Sequence, residues 1–208
     1  MIMLISIHPD NPNPRGISKV VECLFDGGII IYPTDTIYGI GCDIFNQKSV
    51  EKIARIKQID VRKKNFSFIC SSLSQLSDYS LPIDRSVYKL MKRTLPGPYT
   101  FILKANNSVP KLFKNKKKTV GIRIPKHNIP NLLVTQTGNP ILSTSVHDKD
   151  AQVEYSTDPE LIYERFKNEV DIVIDGGYGS LVPSTVIDCS RGQIEIVRKG
   201  LGETNDLF

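Results

Sequence analysis

The residues best suited to chemistry stand together near the N-terminal end of the chain. The stretch 34–38 contains two threonines, an aspartate and a tyrosine, and glycines occupy positions 39 and 41. Hydroxyl and carboxylate groups at this density can hold a small polar ligand, and the glycines allow a close backbone approach or a positive φ. The alternative is an ordinary turn whose hydroxyl groups bond to its own backbone.

The residues before this stretch indicate how it is positioned. Ile29–Ile31 is a run of β-branched residues that follows two glycines, which predicts a buried strand leaving a turn. Pro33 cannot donate to a sheet ladder, so the strand should end there. A strand that opens into a polar loop at its carboxyl end is where open α/β sheets bind ligands. The sequence therefore predicts a ligand site in the loop that follows Pro33.

The remaining elements alternate between the two kinds of secondary structure, which predicts an α/β fold in a single domain covering residues 1–208. Helices are predicted at 18–25 and 46–58, from Asp84, from Pro130 and from Asp158. Strands are predicted at 66–70, 99–103, 119–124, 140–145, 170–174, 185–188 and 194–198.

Composition narrows the class of protein. The apolar fraction of 40% and the charged fraction of 24% fit a soluble globular protein. No apolar run approaches the roughly 20 residues that a bilayer-spanning helix needs. The four cysteines are far apart and the three histidines are scattered, which predicts neither a disulfide framework nor a metal site. These features together predict a cytoplasmic protein that makes no contact with a membrane.

Basic side chains concentrate in two clusters. One comprises Lys57, Arg62, Lys63 and Lys64, and the other comprises Lys111, Lys114, Lys116, Lys117 and Lys118. The net charge of +5 permits an anionic ligand or RNA and requires neither. Both clusters precede predicted strands and should therefore lie at ends of the sheet. The alternative is that both are solvated loops, as charge runs commonly are.

An ordered set of motifs resembles the YrdC-like family, the threonylcarbamoyl-adenylate synthases. Tyr32–Gly41 resembles the opening signature of that family. Asn65–Phe66 and Pro98–Phe101 resemble the YciO branch most closely. The resemblance implies a YrdC/RibB-like (DHBP synthase-like) fold, in which helices flank a twisted mixed sheet with a large concave cleft. The other matching pieces are 56–57, 96–100, 119–125, 143–145, 175–177, 183–188 and 197–200.

The resemblance also implies an activity. Family members join L-threonine, bicarbonate and ATP, with Mg²⁺, to give threonylcarbamoyl-AMP and pyrophosphate, and the product is used in tRNA modification. ATP and L-threonine would be the ligands, Mg²⁺ would arrive with ATP, and tRNA-modification proteins would be partners. Such chemistry depends mainly on positioning and electrostatics, because it asks little covalent chemistry of the protein.

Eight residues match functional positions of the family. An arginine fork suits a carboxylate because it donates two parallel hydrogen bonds. Each of the eight residues also has an ordinary structural role as an alternative, such as an ion pair on a strand or a hydroxyl group bonded to the backbone. The resemblance implies catalytic roles for Lys57, Arg123 and Ser145, nucleotide contacts for Lys57, Thr119, Ser145 and Arg198, and substrate contacts for Thr36, Arg123, Ser143 and Ser184.

Two motif positions depart from the family pattern. The Lys-x-Arg motif reads Lys57-Gln58-Ile59 here, and the Ser-x-Asn motif reads Ser145-Val146-His147. The arginine and the amide would both act beside the phosphates. Their absence predicts a synthase that binds nucleotide but forms the adenylate slowly.

The competing hypothesis is a family member that binds double-stranded RNA and acts on tRNA or in ribosome maturation, without efficient synthesis. If the two basic clusters face one concave surface, the protein should bind structured RNA weakly and with a steep salt dependence. Replacing 116–118 by alanine should flatten the slope of log affinity against log salt concentration. Titrations of RNA at several salt concentrations measure that slope, and an unchanged slope would assign these lysines to a solvated loop.

Overall fold

The computed structural model describes residues 2–60, 66–113, 118–146, 157–205 and 207. Within these ranges, ten strands form one sheet and six α-helices pack on it. The strands are β1 (Met3–Ser6), β2 (Ile30–Tyr32), β3 (Gly39–Asp43), β4 (Ser67–Ile69), β5 (Tyr99–Lys104), β6 (Thr119–Arg123), β7 (Ile141–Ser145), β8 (Ile172–Asp175), β9 (Thr185–Asp188) and β10 (Glu195–Arg198). The helices are α1 (Pro14–Phe25), α2 (Gln47–Ile56), α3 (Leu73–Ser77), α4 (Arg85–Thr94), α5 (Asn128–Thr137) and α6 (Pro159–Phe166).

The strands lie in the order β1-β8-β2-β3-β7-β4-β6-β5-β9-β10. Parallel and antiparallel pairs both occur, since β8 pairs parallel with β1 and β2 while β3 pairs antiparallel with β2 and β7. The mixed sheet with flanking helices confirms the predicted fold class. Every predicted strand and helix listed above has a counterpart within a few residues.

Helix ends follow local capping chemistry. The Asn46 side chain accepts from the Ser49 N–H at 3.1 Å and caps α2, as its position before an apolar-periodic run predicts. Asn13 caps α1 in the same way, with Oδ1 2.6 Å from the Gly16 nitrogen. Because Pro14 fits the first turn that this cap begins, α1 starts four residues earlier than predicted. Asp84 stands at the N-cap position of α4, but its side chain makes no capping hydrogen bond.

Residues 39–43 form β3, a strand that the sequence does not predict. Gly39 and Gly41 have negative φ and serve the close approach of neighbouring strands. A Cβ at Gly41 would lie 2.2 Å from the Leu142 carbonyl oxygen of β7. Glycine is depleted in strands generally, which is why a short strand with two glycines reads as a loop.

The two faces of the sheet are covered to different extents. One face bears the larger core, where residues such as Phe68, Phe101 and Ile122 pack under α2, α3, α4 and α6. The other face carries a smaller core under α1 and α5, which includes Tyr32 and Ile141. That smaller core draws no residue from β5, β6, β9 or β10, and three of these strands contribute to the floor of the cavity described below.

Candidate ligand-binding site

A cavity of about 460 Å³ lies on the second face of the sheet, and its floor reaches from β3 to β9. Its floor consists of every second residue of neighbouring strands, because side chains two positions apart point to the same face. Small or hydroxyl-bearing residues predominate there, so short side chains leave space above the sheet for the cavity. The floor includes Gly39 on β3, Ser143 and Ser145 on β7, Ser67 and Ile69 on β4, Gly121 and Arg123 on β6, Thr100 and Ile102 on β5, and Val186 on β9.

The polar loop after Pro33 forms one wall of the cavity through Thr34. Its hydroxyl donates to the Ile37 carbonyl oxygen at 2.8 Å and accepts from the Thr36 N–H at 3.1 Å. The Thr36 hydroxyl is buried and lies 3.2 Å from that of Thr34. The loop is therefore held by its own hydroxyl groups, as the turn alternative predicted, and it also contributes to a cavity.

Arg123 is the buried cation of the site. Its Nη2 atom forms an ion pair with Oδ1 of Asp35 and lies 3.5 Å from the Thr34 hydroxyl. The second oxygen of Asp35 accepts from the Lys126 N–H at 3.0 Å. Nε of Arg123 is buried and has no hydrogen-bond partner among the described residues. The ion-pair alternative is thus correct for Nη2 of Arg123.

Arg198 lines the same cavity from β10. Its Nε and Nη2 atoms donate to the Ser184 carbonyl oxygen at 3.2 and 2.8 Å, and the Ser184 hydroxyl lies 2.8 Å from that of Thr100. Partial burial lowers the pKa of Arg198, and the positive charge of Arg123 lowers it further. Two positively charged guanidinium groups that repel each other across a cavity favour an anionic ligand between them.

A β-bulge aims Arg198 at the cavity. Ile196 pairs with Ile187, which belongs to the larger core, and Arg198 pairs with Val186, which lines the cavity. Val197 is the additional residue between them. In a regular ladder Val197 would oppose Val186 and Arg198 would face the other side of the sheet.

Five of the eight residues implied by the resemblance line the cavity, namely Arg123, Ser143, Ser145, Ser184 and Arg198. The other three lie nearby or apart. Lys57 is the C-cap of α2, and its ammonium group donates to the Val146 carbonyl oxygen at 3.2 Å, next to Ser145. Thr36 lies behind Thr34, and Thr119 begins β6 at the end opposite Arg123. The roles assigned to all eight remain predictions.

Sequence reasoning did not select several cavity residues. Thr34 and Tyr38 belong to the polar stretch, and Thr100 ends a recognised motif, so a signal was present for these three. The Tyr38 hydroxyl donates to the Gly177 carbonyl oxygen at 2.7 Å, and burial raises its pKa to about 12. Ser67 gave no signal, because a lone serine on a short strand is unremarkable in sequence.

Several sequence-based hypotheses fall on residues outside the described ranges. These are the basic residues 62–64, 114, 116 and 117, together with Asn65 and His147. The proposed RNA surface therefore stays a prediction. Within the described ranges, no three histidine, cysteine, aspartate or glutamate side chains are grouped to hold a metal ion. The helices of this part of the chain are all too short or too polar to cross a bilayer.

Comparisons with known proteins identify the family of the chain. Residues 22–200 match the family of Sua5, YciO and YrdC proteins, which is described as "Telomere recombination". The uncharacterized protein YciO of Escherichia coli is 42% identical over 204 residues, which is 98% of each chain. Its crystal structure matches with a TM-score of 0.93, at 40% identity and covering all of both chains. The predicted resemblance to the YciO branch is confirmed.

More distant relatives include proteins with a described activity. The threonylcarbamoyl-AMP synthase of Coxiella burnetii is 30% identical over 181 residues, covering 86% of this chain and 96% of that protein. The crystal structure of P. abyssi Sua5 complexed with L-threonine matches with a TM-score of 0.85 at 26% identity. That match covers 95% of this chain and 57% of the Sua5 chain.

Proposed function

Because the chain belongs to the Sua5/YciO/YrdC family, we propose that it is a nucleotidyltransferase of the threonylcarbamoyl-AMP synthase type. In this proposal the cavity binds ATP and L-threonine, and the reaction consumes bicarbonate and releases pyrophosphate. The product serves tRNA modification.

The observation that carries the proposal is the pair of guanidinium groups, Arg123 and Arg198, that line one cavity floored with hydroxyl groups. Asp35 offsets part of the charge of Arg123. The guanidinium group of Arg198 donates to a neutral backbone carbonyl oxygen, which leaves its positive charge available to an anion. A nucleotide phosphate and an amino-acid carboxylate are anions that arginine recognises through paired hydrogen bonds.

We assign the two arginines different tasks. Arg198 holds a phosphate group, because it lies nearer the solvent and has Ser184 and Thr100 hydroxyl groups beside it. Arg123 lies deep in the cavity beside the polar loop and holds the carboxylate of the amino acid. The chain then acts by placing the carbamate oxygen in line with the α-phosphorus and by stabilising the negative charge that develops there.

In this proposal Mg²⁺ needs no site of its own in the described part of the chain. The cavity-lining residues described there include no carboxylate, and no group of three suitable ligands occurs. We therefore propose that Mg²⁺ enters bound to the ATP phosphates, and we assign no protein ligand to it.

Replacing Arg198 by alanine should weaken ATP binding about tenfold or more, because a charge-assisted hydrogen bond is worth about 1.5–3 kcal/mol. Calorimetric titration measures the change. Arg191→Ala is the matched control, since Arg191 is exposed and does not line the cavity and its loss changes the net charge equally. Equal ATP affinity in the two variants, or no binding to the wild type at millimolar concentration, would contradict the proposal.

Turnover tests the activity directly. Purified protein incubated with L-threonine, bicarbonate, Mg²⁺ and ATP should release pyrophosphate and form the adenylate. Omitting L-threonine or bicarbonate should abolish adenylate formation. Pyrophosphate release that is independent of both would indicate a different acyl substrate or simple ATP hydrolysis.

A further inference from the structure

Asp35 joins the polar loop after Pro33 to the carboxyl end of β6. Its Oδ1 atom forms the ion pair with Nη2 of Arg123, and its Oδ2 atom accepts from the Lys126 N–H at 3.0 Å. The side chains of Asp35 and Arg123 are 11% and 9% exposed. Both oxygens of one nearly buried carboxylate therefore bind partners that lie 88 and 91 positions further along the chain.

The backbone that carries the second of these partners is itself held in place. Between β6 and α5, the Ile124 carbonyl oxygen accepts from the Gly97 N–H at 2.9 Å. The Pro125 carbonyl oxygen accepts from the side-chain amide of Asn131 at 3.1 Å. The N–H donor that follows these two residues thus stands on a fixed segment, and Asp35 is anchored to backbone as well as to a side chain.

This arrangement sets the orientation of the Arg123 guanidinium group. Nη2 is bound by Asp35, and Nε is buried without a partner among the described residues. Because the group is planar and rigid, its attachment through Nε and its contact at Nη2 together set the direction of Nη1. Arg123 lines the cavity, so Nη1 is the nitrogen that a ligand there can approach.

An alternative role for Asp35 is only to offset the charge of Arg123. A counter-ion of that kind competes with an anionic ligand, so removing its charge should strengthen anion binding. Removing a residue that orients the guanidinium group has the opposite effect, because ligand binding must then immobilise a freed side chain. The two roles therefore predict changes of opposite sign in the affinity for an anion.

We propose that Asp35 is a positioning residue, which holds Arg123 in the orientation that binds the carboxylate of the amino-acid substrate. This rests on the proposed function, which places that carboxylate at Arg123. Asp35 acts through the arginine and does not itself touch the substrate. The position requires a carboxylate, because each of its two oxygens accepts from a different donor. The family resemblance assigns a role to Arg123 and none to Asp35.

The test is Asp35→Asn, which keeps the size of the side chain and removes its charge. An amide has one acceptor oxygen, so it cannot accept from both Arg123 and the Lys126 N–H. Calorimetric titrations measure the affinity for L-threonine and, as an internal reference, for AMP. L-threonine should bind about threefold to tenfold more weakly, as expected when binding must immobilise one freed side chain. The affinity for AMP should not change.

Two further variants complete the test. Asp35→Glu keeps the charge but adds a methylene group, so it should also weaken L-threonine binding, and it decides the test where Asp35→Asn does not fold. Asp43→Asn is the matched control, because Asp43 also accepts through both oxygens, from the Phe45 N–H at 2.7 Å and the Asn139 side chain at 2.8 Å. Asp43 lies outside the cavity described above, and its change should leave both affinities unchanged.

The possible outcomes separate this proposal from the proposed function. Equal or tighter L-threonine binding by Asp35→Asn, whether or not stability falls, would show a counter-ion or structural role and overturn the proposal. Equal weakening of L-threonine and AMP binding would indicate general disruption of the cavity and overturn it as well. A wild-type protein that binds no L-threonine would overturn both proposals. Asp35-dependent binding of L-threonine without nucleotide binding would support the positioning role and overturn the proposed function.

Discussion

Replacing Arg123 by alanine should lower the free energy of unfolding by about 3–5 kcal/mol. The side chains of Arg123 and Asp35 are only 9% and 11% exposed, so water screens their ion pair little. Removing the arginine leaves a nearly buried carboxylate that keeps, among the described residues, only its hydrogen bond from the Lys126 N–H. Breaking one side of a buried ion pair is strongly destabilising, because the desolvated charge that remains is uncompensated.

Urea denaturation followed by circular dichroism measures this change. The matched control is Glu164→Ala, which breaks the ion pair of Glu164 with Lys167, where both side chains are at least half exposed. That change should stay within about 0.5 kcal/mol. The double variant Arg123→Ala with Asp35→Ala should be destabilised by less than the sum of the single changes. An effect of Arg123→Ala as small as the control would show that the pair is not desolvated.

The second large effect concerns the rate of synthesis. The wild-type protein should form the adenylate roughly ten- to a hundredfold more slowly than a family member with arginine at position 59 and asparagine at position 147, as expected when one charge-assisted bond to the transition state is missing. Ile59 is partly buried and packs against the larger core. The position is therefore used for packing in this chain and offers no cation to the phosphates.

The double variant Ile59→Arg with His147→Asn should raise the rate more than either single change. Initial rates of pyrophosphate release at saturating ATP measure the effect. Ile59→Gln is the control, because it removes the same apolar contact without adding a guanidinium group, and it should not raise the rate. Full family-like activity in the unmodified protein would contradict the prediction and would mean that another group replaces the missing arginine.

The fold was predictable because its patterns are local. Each pattern lies within a few neighbouring residues. Examples are the β-branched run Ile29–Ile31, the helix cap at Asn46 and the apolar spacing of α4. β3 was not predictable, because its two glycines are explained only by the strands beside it. Gly41 makes room for a carbonyl oxygen that lies about a hundred residues later in sequence, at Leu142.

The site was predictable in part for the same reason. Motif resemblance located Arg123 and Arg198, and the cavity contains both. The pairing of Arg123 with Asp35 joins residues 88 positions apart, and no local pattern encodes it. Thr119 and Arg123 were both assigned from the resemblance, on one strand motif, yet a strand of five residues separates its two ends by about 13 Å. Adjacency in sequence thus placed one of the two residues at the cavity and the other away from it.

The β-bulge at Val197 affects how family members should be compared. The additional residue is what places Arg198 opposite Val186 on the cavity side. A relative that lacks one residue here would have a regular ladder, and its arginine would still oppose the same neighbour. A one-residue gap in an alignment at this point therefore does not indicate a lost arginine. The spacing from Ser184 to the final arginine can differ by one among proteins that build the same cavity.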